Sequence, residues 1–253
     1  MIATYDPACC DVLHAADPRH FWFRARNRVI ETVVRQTVAG LAPGYRVLDA
    51  GCGTGGVLPA LESACREGRV IGLDRLGEGL RYARQRSGCA LVQGDTSQPP
   101  FGQPFAVVGL FDVLEHLPDD VEALRTLHPL VAPGGALILT VPAGPELWSY
   151  ADDAACHQRR YTRDSLARAV ERAGYRIEYL TPYMASLVPF LWLGRTLIAR
   201  GHGSARQRVA RELRVIPVIN DVMAAVLLTE ARWVARRRML PMGTSLVAVA
   251  RRS

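Results

Sequence analysis

From residue 46 to residue 183, short β-branched or apolar runs alternate with amphipathic stretches, the pattern of a parallel sheet wound with helices on both faces. The runs predict strands over 46–50, 69–74, 90–93, 105–111, 136–141 and 176–180. The spacing between them predicts helices over 57–66, 78–86, 119–130 and 163–173. Val29, Ile30, Val33 and Val34 mark a further helix over 26–38, ahead of the first strand. A seventh strand alternates over 244–251, with Gly243 at the turn into it. About sixty residues separate the last two strands, too many for a structureless loop in a compact domain. Two apolar helical stretches lie there, 184–199 and 215–235, flanking an arginine-rich patch over 200–214. The expectation is a single α/β domain over 1–253, with a doubly wound Rossmann-like seven-stranded sheet and a helical cap insertion over 184–240.

Composition narrows the chemistry. The chain has 253 residues, 49% of them apolar and 7% aromatic, which fits one globular domain and excludes disordered or collagen-like architectures. All 31 basic residues are arginine, so a P-loop lysine, a kinase strand lysine and Schiff-base chemistry are excluded. The net charge of +7 is unevenly spread: residues 1–182 hold 19 arginines against 21 acids, and residues 183–253 hold 12 against 3. The six cysteines form no C-x-x-C pair, so neither a zinc site nor a disulfide framework is indicated, and a reducing cytoplasm is the expected compartment. The start of the chain lacks the basic and apolar segments of a secretory signal. The longest apolar run, 183–199, is broken by Pro189, Gly194 and Arg195, and reads as a buried or interfacial helix rather than a membrane span.

The first strand runs straight into Gly51-Cys52-Gly53-Thr54-Gly55-Gly56 and then a helix, so bare backbone can approach a nucleotide-type ligand at the carboxyl end of the sheet. Gly51, Gly53 and Gly56 also satisfy G-x-G-x-x-G, which dinucleotide folds share. Asp49 separates the readings, since a carboxylate there would repel a pyrophosphate but attract an ammonium or sulfonium group. The second strand ends in Asp74, where an acid can accept hydrogen bonds from both hydroxyls of a ribose. The third ends in Gly94-Asp95-Thr96, which places Asp95 in the same series of strand-end acids as a candidate adenine contact.

Together VLDAGCGTGG at 47–56, VIGLD at 70–74, VQGDTSQPPF at 92–101, FDVLEHLPDD at 111–120 and LVAPGGALILTVP at 130–142 resemble the class I S-adenosylmethionine-dependent methyltransferases, in particular the broad type 11 group that includes quinone-biosynthesis enzymes. The resemblance spans roughly residues 20–182 plus the last strand. It implies a seven-stranded sheet with the last strand antiparallel, and S-adenosylmethionine as cofactor. It implies that Asp49, Gly51 and Gly53 flank the methionine part, Asp74 binds the ribose, and Asp95 with Thr96 the adenine, with Cys52 and Arg75 as further candidate cofactor-binding residues. Phe111 would lie by the reactive end. The segment from His20 to Arg26 is similar to an aromatic-plus-arginine stretch that relatives place over the cofactor. It makes Arg26 the candidate partner of the methionine carboxylate, with Arg24 and Arg28 as rivals. The sixty-residue insertion departs from the family, many of whose members have a tight hairpin there.

Methyl transfer from a sulfonium starts from an activated donor, so much of the catalysis can come from alignment, while a hydroxyl acceptor also gains from a general base. His157, in an H-x-R-R-Y string after the fifth strand, is the first candidate for that base. His116, in L-E-H-L-P after the fourth strand, is the second. No metal ligand set can be assembled around Asp112, and no metal is expected. The expected partner is a small, lipophilic acceptor methylated on oxygen, nitrogen or carbon; peripheral membrane contact and a homodimer stay open for the arginine-rich insertion. A nucleic acid is not expected, because the patch lacks interleaved aromatics and the chain lacks a D/N-P-P-Y/F string. Asp49 counts against a nicotinamide-dependent oxidoreductase. A regulatory module that binds S-adenosylmethionine without turning it over remains the alternative.

Overall fold

The computed structural model describes residues 9–190 and 205–252. Seven strands form one sheet: β1 (Arg46–Ala50), β2 (Arg69–Asp74), β3 (Ala90–Gln93), β4 (Phe105–Phe111), β5 (Val131–Pro142), β6 (Tyr175–Tyr183) and β7 (Ser245–Arg252). Their order is β3-β2-β1-β4-β5-β7-β6, with β1 to β5 parallel and β7 antiparallel between β5 and β6. The doubly wound sheet with its antiparallel seventh strand is therefore present, and β1 to β4 have the bounds expected from the runs. β5 begins earlier than expected: Val131 pairs with Phe105, residues 132–135 then bulge opposite Ala106, and regular pairing resumes at Ala136, where the expected strand begins.

The helices are α1 (Cys10–Ala16), α2 (Phe21–Val38), α3 (Leu58–Ala64), α4 (Gly77–Ala83), α5 (Asp120–Leu127), α6 (Tyr150–Ala154), α7 (Arg163–Arg172), α8 (Ala205–Glu212) and α9 (Pro217–Ala235). Side chains alternate across each strand. Val47, Val107, Ile138 and Val247 therefore enter one core layer with α2, α3, α4 and α9, while Leu48, Val108, Leu137 and Ala248 enter the other with α5 and α7. Because both faces are covered, the strands read as continuous apolar runs. α2 starts five residues before its periodic stretch, since His20 Nδ1 caps it by accepting the Trp22 N–H at 3.3 Å. The helix expected over 119–130 stops at Leu127, because Pro129 has no amide hydrogen to continue it, and His128–Leu130 turn as a 3-10 helix.

In the insertion, the helix expected over 184–199 falls mostly outside the described residues, as do Arg195 and Arg200. α9 runs parallel to α2 and buries Asn220, Ala224, Leu227, Ala231 and Val234. At one end Asn220 Oδ1 accepts the Phe21 N–H at 2.8 Å and its Nδ2 donates to Arg19 O at 2.9 Å. At the other end Gln36 donates to Ala235 O at 2.6 Å. Val209 of α8 packs with Cys9 and Ala154, and Arg206 pairs with Asp11, tying the insertion to α1 and α6. Among the described residues no helix is long and apolar enough to cross a membrane.

Candidate active site

The glycine loop closes tightly over the sheet. Gly51 turns at φ +89°, and its N–H donates to Leu73 O at 2.7 Å. A Cβ on Gly51 would stand 2.6 Å from a Val113 methyl, and one on Gly55, at φ +77°, would stand 2.7 Å from the Ala83 Cα, so both positions require bare backbone. The N–H of Gly53 donates to Asp74 Oδ2 at 2.7 Å, while Asp74 Oδ1 accepts the Leu76 N–H at 2.7 Å. Asp74 therefore braces the loop and keeps further lone pairs for a ligand. Burial raises its carboxyl, against the two amides and Arg75.

Beneath the loop, Asp49 is 1% exposed and neither carboxylate oxygen has a hydrogen-bond partner. Burial pushes its carboxyl up to about 7, with Asp74 adding to the rise and Arg26 opposing it. Such an orphaned acid is costly without a cation, and a ligand ammonium would complete it. This donor set fits S-adenosylmethionine, with Asp49 toward the amino group, the loop backbone along the methionine part and Asp74 toward the ribose. At the strand-three end the arrangement is looser. Asp95 Oδ1 accepts from both the N–H and the hydroxyl of Ser97 at 2.8 Å, and Arg75 approaches its other oxygen at 3.9 Å, with both side chains over 40% exposed. The Phe111 ring folds back over Gly109, where an added Cβ would meet it at 2.4 Å, and so lies in the core layer beneath α2.

α2 brings Arg26 to this edge. Its guanidinium donates to Asp112 Oδ2 at 3.1 Å, lies 3.6 Å from Asp17, bonds Asn27 Oδ1 at 3.0 and 3.1 Å, and stacks 5.1 Å from the Trp22 and Phe23 rings. The rivals point elsewhere: Arg24 pairs with Asp221 and Arg28 with Glu31, both at the surface. Asn27 Nδ2 holds Gly56 O at 2.8 Å, and Asp17, paired with Arg86, stands against Gly56. The segment from α1 into α2 thus clasps the glycine loop.

On the other side of the sheet's carboxyl end, every charged or aromatic position of the 157–161 string is engaged. His157 Nδ1 lies 2.8 Å from Asp152 Oδ1, and its Nε2 faces Glu115 Oε1 at 3.8 Å. Arg160 Nε donates to the same Asp152 oxygen at 2.8 Å and its NH1 to Ala143 O at 2.9 Å. Arg159 donates to Leu117 O and Pro118 O, and the Tyr161 hydroxyl to Asp120 at 2.9 Å. Burial would raise Asp152, but the bonds from His157 and Arg160 hold it down to about 2. Glu115 is fully buried without a hydrogen-bond partner for either oxygen, and burial followed by Asp112 drives its carboxyl well above the usual range. His116 stacks edge-on to His157 at 4.8 Å; burial, then His157, lowers it to about 4, so its ring is neutral near physiological pH.

The structure thus gathers Asp49, Gly51, Cys52, Gly53, Asp74 and Arg26 around one end of the sheet and sets His116 and His157 against each other. Sequence reasoning missed Glu115 and Asp152. The signals were adjacent, in the acid of L-E-H and the Asp152-Asp153 pair five residues before His157, but neither spacing marks burial. Metal ligation is also geometrically open where none was expected, since ligand atoms of Glu115, His116 and His157 lie within 4.8 Å of one another.

A family model described as a methyltransferase domain matches residues 16–180. The ubiquinone biosynthesis O-methyltransferase of Pseudomonas aeruginosa (strain UCBPP-PA14) is 35% identical over 122 residues, covering 45% of this chain and 51% of that protein. The demethylmenaquinone methyltransferase of Geobacillus kaustophilus (strain HTA426) is 31% identical over 136 residues, 51% of this chain and 57% of that one. The chain thus spans about half the length of these curated relatives. Among solved structures, a putative methyltransferase in complex with the Haloferax volcanii Trm112 activator superposes with TM-score 0.61 at 18% identity, covering 96% of this chain and 97% of that one. The plantazolicin methyltransferase BamL, solved with S-adenosylhomocysteine, gives 0.60 at 14% identity over 96% and 90%.

Proposed function

Because the chain belongs to the methyltransferase-domain family, we propose that it transfers the methyl group of S-adenosylmethionine to a small, lipophilic acceptor. The observation that carries this reading is Asp49, a fully buried carboxyl without a partner beneath the glycine loop. The cofactor supplies an already activated sulfonium methyl. Asp49 holds its ammonium group, the backbone of Gly51 to Gly53 lies along the methionine part, and Asp74 takes the ribose hydroxyls. Arg26, crossing from α2, closes the site and turns its guanidinium toward the methionine carboxylate, with Asp112 and Asp17 orienting it.

At the acceptor side His157 is the base. Asp152, held ionised, accepts a hydrogen bond from Nδ1–H and so leaves the Nε2 lone pair directed into the cluster with Glu115. An O–H acceptor makes the most use of that lone pair, since its proton passes to Nε2 as the new bond forms. Nitrogen and carbon acceptors use the site chiefly for alignment. We assign residues 184–240 to a cap over the acceptor pocket. The reading is supported by α8, which packs against α1 and α6, and by Asn220, which is bonded to the turn ahead of α2. The quinone-biosynthesis activity of the relatives suggests the lipophilic acceptor class.

Calorimetric titration against S-adenosylmethionine and NAD, followed by detection of S-adenosylhomocysteine release with a panel of phenols, quinols and amines, tests the proposal. Preference for NAD would overturn it. Tight S-adenosylmethionine binding without turnover on any acceptor would favour the regulatory module instead.

A further inference from the structure

α9 is apolar on two opposite faces, and only one of them is covered. Asn220, Ala224, Leu227, Ala231 and Val234 pack on α2. About 180° away around the helix, at the 3.6-residue period, run Val218, Ile219, Val222, Val226 and Trp233 in a stripe roughly 100° wide. These five are exposed, Val218 at 76%, Val222 at 57%, Ile219 at 56% and Trp233 at 46%. Nine of the eleven large apolar side chains exposed among the described residues lie between Phe190 and Met242, so the surface apolar area of this chain is concentrated in one place. Single exposed apolar residues need no explanation, whereas a contiguous stripe marks a surface that something else covers.

The charges around the stripe decide what that is. Arg211 and Arg214 precede α9, Arg232 flanks its stripe and Arg236 follows it; all four are exposed and carry no ion pair among the described residues. Residues 183–253 hold 12 arginines against 3 acids. A second copy of the chain docked stripe to stripe, with the two helices antiparallel about a two-fold axis, would set Arg211 and Arg214 beside the second copy's Arg236, and like charges would oppose the contact. An anionic bilayer surface satisfies both features at once. The stripe enters the headgroup boundary with Trp233 at the interface, and the arginines at the two ends meet lipid phosphates. We propose that α9 is a membrane-docking helix that lies in the plane of an anionic lipid surface. This deepens the lipophilic-acceptor reading, because a face of the insertion would then rest on the phase in which such an acceptor dissolves.

The test is co-sedimentation of the full chain with vesicles of phosphatidylcholine alone and of phosphatidylcholine with phosphatidylglycerol, beside light scattering for oligomeric state. The expected result is sedimentation with the anionic vesicles only. The triple variant Val218→Ser, Ile219→Ser, Val222→Ser should abolish it with an unchanged melting temperature, since the three side chains are exposed. Arg232→Gln with Arg236→Gln, a milder pair, should weaken partitioning about fivefold per arginine. Absence of sedimentation with anionic vesicles would overturn the proposal. So would sedimentation indifferent to the apolar variant, or a stable dimer that the variant dissolves, which would assign the face to a second copy. The vesicle measurement needs no acceptor and no turnover, so its failure is separable from failure of the methyltransferase reading.

Discussion

The imidazole of His157 is held by Asp152 through an Nδ1 contact of 2.8 Å, and Asp152 is held in turn by Arg160 at the same distance. That chain fixes the tautomer in which Nε2 is free to accept a proton. His157→Ala should therefore lower turnover by about a hundredfold or more, with cofactor affinity unchanged in calorimetry. Asp152→Asn should lose roughly tenfold or more, since an amide can present its NH2 to Nδ1 and stabilise the wrong tautomer. Equal turnover in wild type and His157→Ala would return His157 to a loop-fixing role.

If Asp49 holds the cofactor's ammonium as proposed, cofactor affinity depends on pH in a defined direction. Burial pushes the Asp49 carboxyl up to about 7, and only the ionised form attracts an ammonium. Affinity for S-adenosylmethionine should fall as pH drops through 7, approaching about tenfold per unit below it. Stability runs the other way. The folded state holds this proton up to about pH 7 and the unfolded chain releases it near 4, so the contribution of Asp49 to stability declines as pH rises across that window. Asp49→Asn should remove both trends, losing cofactor binding while raising the ligand-free melting temperature relative to wild type at pH 8. Calorimetric and thermal-melt series at several pH values check both.

In the proposed site Asp74 would have two roles, bracing the glycine loop and taking the ribose, and two substitutions grade their loss. Asp74→Ala removes the ribose acceptor and the brace on the Gly53 amide, and should weaken cofactor binding roughly ten- to hundredfold, at about 1.5 to 3 kcal/mol for a hydrogen bond to a charged group. Asp74→Asn keeps an oxygen for one amide and should fall between that variant and wild type. Unchanged affinity in Asp74→Ala would reject the ribose assignment.

Arg26 is nine-tenths buried between Asp17 and Asp112. Arg26→Met should cost about 3 kcal/mol of stability in chemical denaturation, because it leaves the Asp112 carboxylate without its cation while Asp17 keeps only Arg86. Adding Asp112→Asn should restore part of that loss but none of the cofactor affinity. Full recovery of binding in the double variant would remove Arg26 from the cofactor site.

Much of this architecture is legible in the chain, for identifiable reasons. A strand covered on both faces is a compact apolar run ending at an acid or a glycine, and β1 to β4 all have that form. Glycine-loop chemistry is local in sequence, so Asp49, Gly51 and Gly53 declare themselves. Contacts between distant segments do not. Nothing in L-E-H says that Glu115 will be sealed beside His157, forty-two positions later; the fold of β5 and its following loop decides it. Arg24, Arg26 and Arg28 look equivalent in sequence, and only the direction in which α2 presents them sends Arg26 inward. The N-terminus of α2 was hidden because Phe21, Trp22 and Phe23 are apolar on every side of the turn, which leaves no period to read.

The place of β7 between β5 and β6 also orders events during synthesis. β6 emerges from the ribosome before the whole insertion, yet among the described residues the one strand it pairs with is β7, encoded after that insertion. Until residues 245–252 arrive, β6 is an edge without a neighbour, and β5 lacks a partner on that flank. The nascent sheet through β5 can form as its parallel strands appear, whereas its last third must wait, holding open unpaired backbone next to an apolar insertion. A ribosome pause or a frameshift within that interval would leave a chain with its parallel strands assembled and a sticky, unfinished edge, the kind of intermediate that chaperones hold and proteases clear.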